Sequence, residues 1–125
     1  VMISSRETER AYQVIEEGIR AYFEEHPSEK HALPADLAGE IHLLDAYRQE
    51  GYGKYDERVE ACIRQQYLEN GIPLDPIYTA KAFWGMTEYV RTAGIQNSRI
   101  LFLHTGGTPL FFDYVTNSSE QQKKS

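Results

Sequence analysis

Four consecutive apolar residues, Ile100 to Leu103, run straight into His104-Thr105-Gly106-Gly107-Thr108-Pro109. A short apolar run that stops at a glycine pair reads as a buried strand ending in a tight turn. Pro109 suits the first position of a short helix. The rest of the chain alternates around that pattern. Val1 to Ser4, short, apolar and partly β-branched, reads as a strand that feeds a helix. Ser4 and Glu7 have capping-box spacing, and Ala11, Val14, Ile15, Ile19, Tyr22 and Phe23 recur at helical intervals. The spacing predicts a helix from about residue 5 to His26, ended by Pro27. Residues 27 to 39 are loop-like, and Ile41 to Ala46 reads as a second buried strand.

Asp56 is the predicted cap of a second helix, with Val59, Cys62, Ile63 and Tyr67 on one face and Asn70-Gly71 at its end. Leu74-Asp75-Pro76 is expected to be extended, because a residue before proline avoids the helical region. A third helix starts near Thr79, carries Ala80, Phe83, Trp84, Thr87 and Val90 as a stripe, and closes at Gly94. Strands separated by helices imply the α/β class: a parallel sheet with right-handed crossovers and flanking helices. The expected organisation is one unit over residues 1–116 and a polar, fraying tail over 117–125.

Composition excludes several functions. A chain of 125 residues has room for one ordinary domain, and its net charge of −6 argues against a nucleic-acid binder. The longest apolar runs fall far short of a membrane span, and no stretch has the layout of a signal peptide. The single cysteine, Cys62, cannot form an internal disulfide, which points to the cytoplasm. It falls on an apolar helix face and reads as a small buried hydrophobe, not a nucleophile. His26, His31, His42 and His104 lack ligand spacing, so no metal site is expected.

Three features could carry chemistry. A glycine turn after a strand exposes N–H groups that bind anions, so Gly106-Gly107 with Thr105 suggests a phosphate or carboxylate site; the plainer reading is a tight turn without a ligand. Tyr78 stands at a loop-to-helix junction, where the positive end of the helix dipole favours a phenolate and so assists proton transfer. The plainer reading there is that Thr79 caps the helix, Tyr78 packs and Lys81 is solvated. Tyr52, between Gly51 and Gly53, is either a site residue or a surface turn tyrosine.

Three segments in order resemble a known family. They are Asp45-Ala46-Tyr47 with Gly51-Tyr52-Gly53, then Gly71-Ile72-Pro73-Leu74-Asp75-Pro76-Ile77-Tyr78-Thr79-Ala80-Lys81-Ala82, then Leu101-Phe102-Leu103-His104-Thr105-Gly106-Gly107. Together they resemble the carboxyl-terminal part of the D-cysteine desulfhydrase and 1-aminocyclopropane-1-carboxylate deaminase family, pyridoxal 5'-phosphate enzymes of the tryptophan-synthase-β-like fold. The opening Ile3-Ser4-Ser5-Arg6 resembles the strand-to-helix step before these motifs, so the likeness runs from residue 1 to about Phe112.

The resemblance implies roles. Tyr78 would face cofactor and substrate as a proton-transfer or nucleophilic group, with Tyr52 near the substrate. Thr79 would contact the pyridine nitrogen of the cofactor, and Thr105 and Gly106 would lie beside its ring. The deaminases proper carry glutamate where this chain has Thr79, and the desulfhydrases carry threonine. Threonine therefore tilts the reading toward β-elimination from a small amino acid, since a hydroxyl donor to an unprotonated ring nitrogen makes a weaker electron sink. The family's phosphate loop and Schiff-base lysine are not in this sequence, and Lys81 does not match the latter. Ala80 replaces the family's usual glycine, and Phe83 its commoner methionine.

The expectation is thus a PLP-dependent lyase or deaminase represented by its carboxyl-terminal part, with Val1-Met2-Ile3 as a severed edge. The chain alone would be inactive. An amino-terminal portion or partner chain would complete it, and exposed sheet edges would favour a homo-oligomer. The alternative is a non-catalytic α/β module that holds a small anion at Gly106-Gly107 or serves in assembly.

Overall fold

Two capping residues frame a helix that carries part of the core. In the computed structural model, which describes residues 7–47 and 54–123, with side chains through 117, Asp56 opens helix α3 (Glu57–Asn70). Its Oδ1 accepts the Arg58 and Val59 amides at 3.0 and 3.3 Å. Gly71, in the left-handed region at φ 68° and ψ 19°, closes the helix. Its N–H donates to the Tyr67 carbonyl at 3.0 Å, and the next amide, Ile72, reaches back to Gln66 at 3.2 Å.

Val59 and Ile63, one helical turn apart, carry α3 into the core. Helix α4 (Thr79–Thr92) packs against α3 and buries Ala80. The loop between them contributes Leu74, and α5 (Thr108–Lys123) contributes Phe111. Cys62, Phe83, Trp84, Phe102 and Tyr114 pack half-buried around these five residues. Aromatic contacts extend the cluster, with Tyr67 4.9 Å from Phe111 and Tyr47 edge-on to Trp84 at 5.6 Å. The Arg58 guanidinium lies 4.7 Å over the Trp84 ring. Each large apolar side chain buried here contributes about 1.5–3 kcal/mol, so this cluster holds α3, α4 and α5 together.

The amino-terminal part is organised differently. Helix α1 (Thr8–Glu25) buries none of its residues. It starts after Glu7 with no side-chain cap; the strand expected at 1–4, with Ser4 as the expected cap, lies outside the described residues. Pro27 ends it, as predicted, and opens a 3₁₀ turn (Pro27–Ala32) that leads to the single turn of α2 (Leu37–Glu40), where Leu37 is buried.

The expected parallel sheet is not formed: among the described residues there are helices and no strand. Residues 41–45 and 98–107 carry no regular structure. The run at 100–103 has a strand's alternation but no ladder. Phe102 turns inward, edge-on to Phe83 at 5.1 Å, while Leu101 is 92% exposed and Leu103 76%. A strand exists through hydrogen bonds to a neighbour, and apolar, β-prone composition supplies only the tendency. The short helix expected at Pro109 is 16 residues long, starts at Thr108 and continues past Asn117 to Lys123.

Candidate functional site

The head of α4 is built on one carboxylate. Asp75 is fully buried. Its Oδ1 accepts the Ile77 amide at 2.9 Å and the Tyr78 amide at 2.7 Å. Its Oδ2 accepts the Thr79 amide at 3.0 Å and the Thr79 hydroxyl at 2.6 Å. The Asp75 N–H in turn donates to Thr79 Oγ1 at 2.8 Å, and its carbonyl accepts the Ala80 amide at 3.0 Å. A helix start leaves N–H groups without partners and a partial positive charge. A carboxylate that collects those amides satisfies both at once.

The N-cap position is Tyr78, with no side-chain capping bond of its own; Asp75, three residues earlier, holds the first helical amide at Thr79 and the two amides of the turn before it, with Thr79 as its partner. Thr79 is 2% exposed and its hydroxyl is engaged as both donor and acceptor. Tyr78, immediately before the helix, is 40% exposed, with its backbone fixed by Asp75. Lys81, one turn further, is buried rather than solvated. Burial pushes its amine below the ordinary lysine range, and the Asp56 carboxylate works against that shift.

The glycine turn meets this helix head. Gly107 is seated so closely on Asp75 that an added Cβ would collide with Oδ2. Its φ of 88°, and the 108° of Gly106, are conformations that side chains resist. His104 ties the same segments a second time: Nε2 lies 3.1 Å from the Pro73 carbonyl, and Nδ1 lies 3.2 Å from the Gly106 amide. Thr105, between them, is exposed. The two long motifs, at 71–82 and 101–107, thus come together at Asp75. Tyr52 lies outside the described residues.

Sequence reasoning missed Asp75, Gly107 and His104 as organisers. The signal for Asp75 was an aspartate before proline with a threonine four residues on, a pattern that starts turns through the side chain. An apolar groove of about 560 Å³ along Phe83, Met86, Val90, Ile95, Ile100 and Phe102 shares no lining residue with this site. Among the described residues no group of His, Cys, Asp and Glu could hold a metal ion. No helix there is long and apolar enough to cross a membrane.

Curated proteins resemble the chain over half or more of its length. A D-cysteine desulfhydrase of Klebsiella pneumoniae is 37% identical over 84 residues, 66% of this chain and 26% of the relative. One from Salmonella newport is 36% identical over 83 residues, again 66% of this chain, and 25% of the relative. A Pyrococcus horikoshii protein named "Putative 1-aminocyclopropane-1-carboxylate deaminase" is 44% identical over 63 residues, 50% of this chain and 19% of the relative. Over these stretches the chain is similar to D-cysteine desulfhydrases and to a protein named for 1-aminocyclopropane-1-carboxylate deaminase. It spans about a fifth to a quarter of the length of these relatives. No family model matches the chain, and no solved structure matches it.

The desulfhydrase-like reading aims the Thr79 hydroxyl at a pyridine nitrogen as a donor. In this structure the Thr79 hydroxyl donates to Asp75 Oδ2, the Gly106 N–H is directed to His104, and Lys81 is buried. The described residues do not, by themselves, fit pyridoxal 5'-phosphate.

Proposed function

We propose that the chain is the carboxyl-terminal part of a pyridoxal-phosphate lyase or deaminase that acts on a small amino acid, with D-cysteine desulfhydrase-like β-elimination favoured over deaminase-like ring opening. The observation that carries this reading is the convergence of the two family motifs on Asp75, with Tyr78 presented beside them at the head of α4. Thr79 in place of glutamate supports the desulfhydrase side. Tyr78 is the proton-transfer group, and Tyr52 a second residue near the substrate. Thr105 and Gly106 form a polar wall. Thr79 locks the helix head through Asp75.

The cofactor-anchoring lysine and phosphate loop come from an amino-terminal portion or a partner chain. The complete enzyme is a cytoplasmic homo-oligomer, and the 125 residues alone are inactive. The test is fragment complementation. A D-cysteine desulfhydrase lacking the matching segment is mixed with this chain, pyridoxal 5'-phosphate and D-cysteine, and sulfide is followed. The desulfhydrase's own segment serves as positive control. Sulfide release is expected with the native chain and about 10²-fold less with Tyr78→Phe. Equal release with the variant would sink the assignment, as would no release where the control segment restores it.

A further inference from the structure

We propose that His104 is the positioning residue of the Thr105-Gly106-Gly107 turn, its neutral imidazole clamped between the Gly106 amide and the Pro73 carbonyl. The hydrogen-bond pattern fixes the tautomer. An amide N–H only donates, so the Gly106 contact at 3.2 Å requires an unprotonated Nδ1. A carbonyl only accepts, so the contact with Pro73 at 3.1 Å requires the proton on Nε2. Both conditions are met by one neutral form and by neither of the others. The opposite tautomer sets two donors face to face at Gly106 and two acceptors at Pro73. The imidazolium keeps the Pro73 bond and loses the other.

The geometry gives the clamp a task. His104 bonds to both the residue after Thr105 and a loop 31 positions earlier in the chain, so the turn cannot swing away from the head of α4. The close packing of Gly107 on Asp75 is a second contact between the same segments. Thr105 lies between these two contacts, exposed and without a side-chain hydrogen bond among the described residues, so the backbone that carries its hydroxyl is held at the head of α4 while the side chain stays open to a ligand. That use of the turn rests on the reading under Proposed function; the clamp itself does not.

The experiment uses the full chain without cofactor, with ¹⁵N-labelled histidine rings and amide exchange read at Gly106. The native ring is expected to show a pyridine-like Nδ1 and a pyrrole-like Nε2. In His104→Asn the carboxamide oxygen stands near the place of Nδ1, so the Gly106 amide should exchange within about threefold of native. In His104→Phe it should exchange about tenfold faster, the scale of one hydrogen bond. An Nδ1–H or freely averaging ring overturns the proposal. So does unchanged Gly106 exchange in His104→Phe, or an asparagine variant no better than phenylalanine. A chain that shows the clamp yet fails to complement a truncated desulfhydrase counts against the proposed function alone.

Discussion

Asp75 carries more of the local architecture than any other side chain near the motifs. Replacing it with alanine leaves three amides and the Thr79 hydroxyl at the head of α4 without their acceptor. Loss of that acceptor from buried donors should lower stability by about 3 kcal/mol, read from urea unfolding. Asp75→Asn should fall between, since one oxygen remains. The paired glycines make a sharper comparison. Gly106→Ala meets nothing within 4 Å and suffers only from its φ of 108°, about 1–3 kcal/mol. Gly107→Ala suffers the same conformational cost and a collision with Asp75, so its midpoint should fall further. The chain's spelling made the glycine turn legible and hid its use. A glycine pair announces unusual backbone, but which glycine is pressed against which carboxylate depends on a contact between residues 32 apart, Asp75 and Gly107.

At the scale of elements, local signals were read well wherever the partner of a group lies within the same helix. Asp56, Gly71 and the start of α4 fall where the sequence puts them, because caps are short-range chemistry. The apolar runs at 41–46 and 100–103 form no strand for the opposite reason: a ladder needs a distant neighbour, and none exists among the described residues. Helix α1 shows a third situation. Its apolar residues recur at helical spacing, yet Val14 and Ile15 are each 38% exposed and no α1 residue is buried. Its Glu16–Arg20 pair at 2.7 Å is solvent-exposed and adds little. With no core contact to hold it, α1 should open locally. Its mid-helix amides should exchange at least about tenfold faster than those of Val59 and Ile63 in α3, measured on the same sample.

For the whole molecule, the packing of α3 against α4 and α5 makes stability depend on alkaline pH. Burial of Cys62 raises its thiol from 9.0 to about 11, because a thiolate in that half-buried, apolar setting loses its water. A raised folded value means that the folded chain holds its proton where the unfolded chain has released it. The stabilising contribution is therefore complete below pH 9 and is lost as pH rises toward 11. Tyr55, raised by burial, acts in the same direction. Lys81 acts oppositely. Its folded value is lowered, so the unfolded chain binds the extra proton and stability rises with pH on the approach to the ordinary lysine value.

The contributions separate by substitution. Cys62→Ala should flatten part of the loss between pH 9 and 11 in a series of urea midpoints and leave the profile below pH 8 parallel to native. The same raised thiol should make native Cys62 react with a disulfide reagent at pH 8 more slowly than the unfolded chain, since only the thiolate attacks. A native thiol as fast as the unfolded one would mean that the α3 face carrying Cys62 is open to water. The packing of Val59, Ile63 and Phe111 beside it would then be looser than the buried cluster implies.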